Sequence, residues 1–314
     1  MADKKISELT ARAVADLNDS DSYIVESGSL GTGRATLTNI KTKMLGNSNI
    51  SQLGETTVTG AINALNYIVN YANSSAPNAG IRNSIARGRS KGSSVSATQW
   101  ASIQAGTFED MYIGDYWASG GVVYRIAAFD YYYGKKTSDH HIVIVPDTLL
   151  ESTKRMHSSA DNSGGYVSTE MYTTTIPAIT TPTIFSGHIL NVSKYLSSAV
   201  STSNNADGVV TGITAATPSM TLMTHANVFG WQRVFTKNTE TAAFTGDDDT
   251  VQYPLFRLCP HLQRVTSNRY WLRDPFTGTG FLVVMPNGTV QKQVASTSTS
   301  CGVRPAFCIY NPST

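Results

Sequence analysis

Cysteine and histidine are the residue types in this chain with the chemistry for nucleophilic catalysis or metal binding. Cys301 and Cys308 lie close together near the carboxyl end, whereas Cys259 stands apart from them. None of these positions has the C-x-x-C spacing of a zinc site, so we expect reduced and mostly buried thiols. The adjacent His140 and His141 would point to opposite faces of a strand, which argues against a shared metal ion.

Acidic residues give no stronger indication of a reactive site. Asp247–Asp249 in "GDDDT" could supply oxygen ligands, but the run lacks EF-hand spacing and is typical of a solvated turn. Neither a nucleophile elbow nor a hydrolase-like pair of carboxylates stands out. We therefore predict that the protein is not an enzyme and that it binds no metal and no cofactor.

The composition excludes two common kinds of partner. Charged residues make up 15% of the chain, the formal net charge is +2, and the basic stretch "RGRSKG" is short, so we predict no nucleic-acid binding. No run approaches the roughly 18 apolar residues of a membrane span, and the charged start lacks the apolar core of a signal peptide. We expect neither membrane insertion nor export by a cleaved signal.

The first fifty residues form a separate module in the sequence. A strand is predicted at "SYIVES", followed by a glycine-rich turn and by "ATLTNIKTKML", a second strand that passes into a short helix. So small a module buries little surface, so we expect it to lean on a partner. Its "KISEL" opening resembles the N-terminal modules of bacteriophage appendage proteins, and this resemblance implies that residues 1–50 attach the chain to other virion proteins.

Residues 51–79 are predicted to form a helix with a coiled-coil seam. The apolar positions alternate in steps of three and four, and Thr56 or Thr57 can cap the helix. Ile and Val mixed with Leu in the seam favour a homotrimer over a dimer. The alternative is an ordinary amphipathic helix packed on the protein body. The predicted oligomerisation positions are Val58, Ala61, Leu65, Ile68 and Ala72.

From residue 80 onward the pattern is that of β-structure. "DMYIGDYWASGGVVYRIAAFDYYYG" predicts two strands around "ASGG", "HHIVIVPD" predicts a third, and "SATQWASIQAG" predicts a helix capped by Ser96. Residues of about 148–250 are irregular and rich in Ser, Thr and Asn, and we expect a packed insertion there. Within it, "SGHILNVSKYLSSAVS" and "TLMTHANVFG" favour helices.

The carboxyl-terminal segment predicts an antiparallel sheet. Its strands are "RYWLRD", "GFLVVM", "TVQKQVA" and the closing "GVRPAFCIY", with a "PNG" turn in between. Pro305 has no N–H and therefore predicts an edge or bulge position, while Arg304 is expected to pair inward with a carboxylate such as Asp274. Core positions are expected at Trp271, Phe281 and Val284, with Gly288 in a turn. Trp271, Arg273, Asp274, Arg304 and Pro305 are the predicted structural residues.

The "WLRD" and "GVRPAF" segments together resemble the C-terminal half of a C-type lectin-like domain. Such pairs occur in phage tail tips and bacterial surface proteins, several of which are targets of diversity-generating retroelements, and "GDYW" followed by "YRIAAFD" extends the resemblance more loosely. It implies an α+β protein: an attachment module (1–50), a trimerisation helix (51–79) and a C-type lectin-like antiparallel β domain (80–314) with an irregular insertion. The residues that carry it are Tyr270, Trp271, Leu272, Arg273, Phe281, Gly288 and the segment 302–306.

The function implied by this resemblance is host attachment by a phage. We expect a receptor-binding protein on the virion surface, at a tail tip, fibre or head appendage, that contacts a host surface protein or glycan. The alternative is a structural head-fibre, capsid-decoration or baseplate protein without receptor binding. The implied contact residues are Thr277, Thr279, Val283, Met285, Gln291, Gln293, Thr297 and Thr299.

Two activities known for this fold lack their sequence motifs here. The Glu-Pro-Asn, Gln-Pro-Asp and Trp-Asn-Asp motifs of calcium-dependent lectins are absent, and "MPNG" has Pro-Asn without the acid. Formylglycine-generating enzymes share the fold, but the spacing of Cys301 and Cys308 does not match their paired cysteines. Neither calcium-dependent sugar binding nor catalysis is therefore expected.

Overall fold

The computed structural model describes the backbone of residues 22–27 and 31–36 and all of residues 79–201, 210–230, 251–276, 278–297 and 301–313. The chain divides into two compact units, Met1–Tyr71 and Ala72–Thr314. The predicted oligomerisation residues and the acidic run at 247–249 lie outside the described residues. The domain limits at 50 and 79 stay predictions.

The first unit contains a β-hairpin. Strand β1 (Ser22–Ser27) pairs antiparallel with β2 (Gly31–Thr36), so that Ser22 lies opposite Thr36. The strand predicted at "SYIVES" is confirmed. The second strand begins earlier than predicted, because the backbone ladder extends through the glycine-rich stretch, where Gly33 lies opposite Val25.

The second unit is built mostly of strands, with few and short helices. The helices are α1 (Ala79–Arg82), α2 (Ala97–Gln104), α3 (Ile176–Ala178), α4 (His225–Phe229) and α5 (Pro254–Leu258). The strands are β3 (Tyr116–Ser119), β4 (Val122–Phe129), β5 (His141–Pro146), β6 (Ile189–Leu190), β7 (Lys194–Val200), β8 (Val210–Ala216), β9 (Met220–Leu222), β10 (Arg269–Phe276), β11 (Gly280–Val284), β12 (Val290–Val294), β13 (Cys301–Gly302) and β14 (Pro305–Tyr310). The described residues thus form an α+β protein with mainly antiparallel sheets.

The helix predicted at "SATQWASIQAG" is confirmed as α2, together with its cap. The Ser96 hydroxyl accepts a hydrogen bond from the Gln99 backbone N–H at 3.2 Å, and the Gln99 side chain accepts one from the Ser96 N–H at 2.9 Å. This reciprocal pair satisfies two N–H groups that a helix start leaves without partners. The local sequence was therefore sufficient to place the helix.

The largest sheet contains the carboxyl-terminal strand β14 in its interior. Its order is β3-β4-β5-β14-β6, all antiparallel, and β9 also pairs with β14. Phe307 of β14 lies opposite Ile144 of β5, and Cys308 lies opposite Leu190 of β6. The strands predicted around "ASGG", at "HHIVIVPD" and at "PAFCIY" are confirmed, and β14 is central rather than at an edge.

The core against this sheet is aromatic. Phe185 is fully buried, and its ring centroid lies 5.7 Å from those of Tyr124 and Phe307 and 6.0 Å from that of Trp117. The rings of Tyr124 and Trp117 meet Phe185 edge to face, a geometry that aromatic quadrupoles favour. The Phe185 ring therefore joins the segment between β5 and β6 to three strands of the sheet.

The second sheet has the order β12-β11-β10-β13. β13 runs parallel to β10, with Arg269 opposite Cys301, and the other two pairings are antiparallel. Gly280 is needed where β11 meets β12, because a Cβ atom there would lie 2.2 Å from the carbonyl oxygen of Gln293. These strands confirm the predictions at "RYWLRD", "GFLVVM" and "TVQKQVA", but the single antiparallel sheet expected for them and the closing strand is wrong, because β14 belongs to the largest sheet.

Of the two helices expected in the insertion, the one at "TLMTHANVFG" is confirmed in part by α4, and the one at "SGHILNVSKYLSSAVS" is wrong. Residues 186–201 form β6 and β7 instead of a helix, because β6 is captured by β14, and β7 pairs with β8 from Lys194 opposite Ala216. Residues 221–230 contain the end of β9 and the short α4. Helical spacing of apolar residues could not reveal these long-range pairings.

No helix within the described ranges combines the length and the hydrophobicity that crossing a bilayer requires.

Candidate functional site

A tight turn connects β11 to β12. The Gly288 N–H donates to the Met285 carbonyl at 2.8 Å, and the Met285 N–H donates to that of Thr289 at 2.8 Å. Gly288 has a φ of 88°, which favours glycine, and the Asn287 side chain accepts from the Thr289 N–H at 3.0 Å. The "PNG" turn is thus confirmed, and it fixes the register of β11 and β12.

Exposure differs sharply between these two strands. Every residue of β11 is buried, whereas β12 carries exposed side chains at Gln291, Lys292 and Val294. β12 pairs with β11 on one side and is the last strand of its sheet among the described residues. The sheet therefore has one accessible strand, β12, beside a strand that is entirely buried.

The expectation that Val283 contacts a receptor is wrong. Its side chain is fully buried, as are those of Trp271 and Phe281, which were correctly predicted as core. All five residues of β11 are buried, and β10 is contacted by a segment far away in sequence. The indole Nε1–H of Trp271, for example, donates to the Lys154 carbonyl at 2.7 Å.

The side chains of the other predicted contact residues differ in solvent exposure. Thr279 and Gln291 are exposed, while Met285 is partly buried against the core. Thr277 and Thr299 lie outside the described residues. We call the accessible set the display surface, and it comprises the side chains of Thr279, Gln291, Lys292, Gln293, Val294 and Thr297.

A hydrogen-bonded chain orders part of the display surface. Arg269 Nη1 donates to Gln293 Oε1 at 2.8 Å, and Gln293 Nε2 donates to the Thr297 hydroxyl at 2.8 Å. Both Gln293 and Thr297 are half-buried. Fixing these side chains before a partner arrives lowers the entropy cost of binding.

Sequence reasoning missed Arg269, Lys292 and Val294 as accessible or ordering residues. Lys292 and Val294 lie in the predicted strand between and beside Gln291 and Gln293, so treating the whole strand as accessible would have included them. Val294 is 41% exposed, which is unusual for a large apolar side chain in this protein. Arg269 gave no signal, because its link to Gln293 depends on the folding of β10 beside β11 and β12.

Arg304 has partners other than the carboxylate expected for it. Its Nε donates to the Pro146 carbonyl at 2.8 Å and its Nη1 to that of Leu262 at 2.9 Å, and its guanidinium lies over the rings of Phe256 and Tyr270. The inward orientation is confirmed, since Arg304 is 1% exposed, but the pairing with Asp274 is wrong.

Asp274 has a different role near the start of α4. Its Oδ2 accepts the backbone N–H of His225 at 2.8 Å, and burial raises the pKa of its carboxyl group. The neighbouring Arg273 is buried, and its backbone N–H donates to the Met223 carbonyl at 3.1 Å. Both residues therefore connect β10 to residues 223–225.

Pro305 begins a central strand instead of lying at an edge or a bulge. It lies opposite Leu222 on one side, and continuing the register of Phe307 with Ile144 brings it opposite Pro146 on the other. Neither proline has an N–H, so no ladder donor exists at this position. The Arg304 side chain replaces that donor at the Pro146 carbonyl, and the Arg-Pro pair therefore acts as a unit.

The cysteine pair considered for a reactive site, Cys301 and Cys308, is buried, whereas Cys259 and His261 both line a cleft of about 250 Å³. Cys301 and Cys308 are buried in β13 and β14, and Cys259 is half-buried, with a pKa raised by desolvation. His140 and His141 flank one carboxylate: His140 Nδ1 lies 2.7 Å from Asp130 Oδ2, and the His141 N–H donates to Oδ1 at 2.9 Å. Within the described part of the chain, no three metal-ligating side chains are grouped to hold an ion.

The consecutive tyrosines at residues 131–133 divide between core and surface. Tyr132 is fully buried, whereas Tyr133 is 44% exposed and stacks on His140 with ring centroids 4.2 Å apart. Burial also lowers the pKa of His141 to about 4, since its ring is enclosed and accepts the Tyr132 N–H at Nε2. These rings serve packing.

Comparison with known proteins gives one family match. Residues 191–311 are similar to a family described as a domain of unknown function (DUF6273), a segment that contains β7 to β14 and the display surface. No curated protein and no solved structure gives a significant match.

Proposed function

We propose that the chain is a bacteriophage virion protein that binds the host cell surface through the display surface of a C-type lectin-like domain. The proposal rests on the "WLRD" and "GVRPAF" segments, which the resemblance assigns to that domain. It is supported by their placement, since the first forms β10 under the display surface and the second forms the central β14. The protein acts by adhesion and not by catalysis.

The observation that carries the proposal is the contrast between buried β11 and accessible β12. Side chains on β12 can change without altering the core, because Gln291, Lys292 and Val294 contribute little to packing. A recognition surface needs this separation when its target varies among hosts. In this view residues 80–314 form the binding domain and β12 its contact strand.

Self-association through residues 51–79 would multiply a modest affinity. A homotrimer held on the virion by residues 1–50 presents three display surfaces at once, and linked sites raise avidity without new contacts. The target is a host surface protein or glycan. The alternative, a structural head-fibre, capsid-decoration or baseplate role, requires the same surface to be covered by another virion protein.

Binding of the labelled full-length chain to the phage's own host tests the proposal. We expect the chain to coat these cells and to reduce plaque formation by occupying the receptor. A variant with Gln291→Asp and Val294→Asp should lose both effects, whereas Thr214→Asp, at an exposed position on β8, should keep them. Equal binding by both variants, or no binding at all, contradicts the proposal. Imaging of the virion with the display surface buried against a neighbour supports the structural role instead.

A further inference from the structure

A groove of about 340 Å³ lies close to the display surface but uses none of its residues. Residues 151–155 line one wall and residues 170–178 line the other. The first wall is tied to both ends of the segment after β12, because the Lys154 N–H donates to the Cys301 carbonyl at 2.8 Å and the Met156 N–H to that of Ala295 at 2.9 Å. The volume is within the roughly 300–1,000 Å³ of small-molecule sites.

The first wall is held rigidly by the carboxyl-terminal sheet. Glu151 forms an antiparallel bridge with Val303, and the Val303 N–H donates to the Glu151 carbonyl at 2.8 Å. The Trp271 indole and the Asn268 side chain donate to the carbonyls of Lys154 and Ser152 at 2.7 and 2.9 Å. The groove is therefore formed before any ligand binds.

The second wall contains a π-helical turn, Met171–Thr175. Such turns are rare and often occur at functional sites, since they shift side chains out of the regular helical register. Thr174 and Thr175 belong to this turn and line the groove. The Met171 N–H donates to the Met156 carbonyl at 2.9 Å, which joins the two walls.

The charges that line the groove balance. Arg155 pairs with Glu170 through two hydrogen bonds of 2.8 and 3.2 Å, and Lys154 Nζ lies 3.6 Å from Glu151 Oε2. Arg155 thereby lowers the pKa of the Glu170 carboxyl group, so the pair stays ionised at neutral pH. Because two acids face two bases, a ligand with net charge gains no net attraction.

Several polar groups in the groove are open to a ligand. The hydroxyls of Thr153 and Thr175 make no hydrogen bond within the described part of the chain, and neither does Nη1 of Arg155. Carboxylates accept, guanidinium and ammonium groups donate, and hydroxyls do both. No aromatic ring lines the groove, so a flat aromatic ligand would have no stacking surface.

From these contacts we infer that the groove binds a neutral, hydroxyl-rich ligand of the size of one or two saccharide units. Each ligand hydroxyl is both donor and acceptor and so matches the mixed lining. This site is distinct from the display surface, and its ligand is held by side chains that the proposed host contact does not use. Either assignment can therefore fail without the other.

Saturation-transfer NMR with the full-length chain tests the inference. The probes are D-glucose, D-galactose, N-acetyl-D-glucosamine, maltose and lactose, each at about 10 mM, tenfold above a dissociation constant of about 1 mM. We expect transfer to at least one of them. Thr153→Val and Thr175→Val should each weaken its binding about 5- to 10-fold, the effect of one lost hydrogen bond.

Thr214→Val removes an exposed threonine hydroxyl on β8 and serves as the matched control, which should leave binding unchanged. Unaltered thermal unfolding of all three variants shows that the groove, and not the fold, has been changed. Absence of transfer from every probe overturns the inference, as does equal binding by the Thr153 and Thr175 variants and the parent. Displacement of a bound saccharide by millimolar inorganic phosphate also overturns it, because it identifies an anion site. Host-cell binding that persists after saccharide binding is lost leaves the proposed function standing.

Discussion

Replacing Arg304 by methionine should destabilise the second unit strongly, although Arg304 forms no ion pair with a carboxylate among the described residues. Methionine has a similar length but cannot donate to the carbonyls of Pro146 and Leu262, which Arg304 reaches at 2.8 and 2.9 Å. The Pro146 carbonyl is the harder one to satisfy, because the facing Pro305 has no N–H. The substitution therefore leaves buried acceptors without donors.

The size of the effect follows from these contacts. Two hydrogen bonds from a charged donor contribute about 1.5–3 kcal/mol each. Contact with the rings of Phe256 and Tyr270, at 5.4 and 5.3 Å from the guanidinium carbon, adds about 1 kcal/mol. Because methionine avoids the cost of burying a charge, we expect a net loss of about 2–4 kcal/mol in the free energy of unfolding.

Thermal unfolding of the purified chain measures this loss. For a unit of this size about 1 kcal/mol corresponds to roughly 2–4 °C, so Arg304→Met should lower the melting temperature by roughly 4–16 °C. Arg304→Lys should be almost as harmful, since an ammonium group cannot match the planar fork or the stacking. The matched control is Arg89→Met, at an exposed arginine. An Arg304→Met variant that melts within about 1 °C of that control would refute the reasoning.

Three further predictions concern the buried framework, and each is read from the unfolding of purified variants. Val283→Asp should lower the free energy of unfolding by more than about 3 kcal/mol, and Gln291→Asp by less than about 0.5 kcal/mol. Similar losses would contradict the contrast between a buried β11 and an accessible β12. Burial lowers the pKa of His141 from 6.5 to about 4, so the unfolded chain binds more protons between these values and stability should fall by about 3 kcal/mol as the pH drops from 6.5 to 4. His141→Gln should flatten that slope, and an unchanged slope would exclude His141 as its source. Gly165 has a φ of 65°, and a Cβ atom there would lie 2.3 Å from a carbonyl oxygen of β7, whereas a Cβ atom at Gly187, with a φ of 77°, would meet nothing within 4 Å. Gly165→Ala should therefore destabilise the fold far more than Gly187→Ala. Equal destabilisation by the two variants would contradict the close approach at Gly165.

Local sequence predicted the elements whose determinants are local. Alternating β-branched and aromatic residues located β4 and β5, Ser96 located the start of α2, and the "PNG" turn fixed the β11–β12 hairpin. In each case the residues that decide the structure lie within a few positions of one another. Gln291 is exposed, as a contact residue must be, but its role in binding stays a prediction.

The errors arise where distant segments decide the outcome. Ile189 and Leu190 lie in a segment whose apolar residues have helical spacing. They form β6 instead, because they pair with β14, which lies more than a hundred residues later in the sequence. Val283 lies in a segment that resembles a displayed strand, but it is fully buried, and no residue near it in sequence indicates this burial. Asp274 was the carboxylate expected to pair with Arg304. The actual partners of Arg304 are backbone carbonyls of residues 146 and 262, which come together only in the folded protein.

If the proposed function holds, the position of β14 allows a variable surface and a fixed terminal segment to occur in one domain. β14 pairs with β5, β6 and β9, so a change within it disturbs pairings from three separate parts of the chain. β12 pairs with β11 and leaves its outer side accessible, so a change there disturbs one neighbour at most within the described residues. Sequence variation concentrated in a protein of this design should therefore fall on exposed β12 positions and spare β11 and β14. A set of natural variants with changes at Val283 as frequent as those at Gln291 would contradict the proposal that β12 is the contact strand.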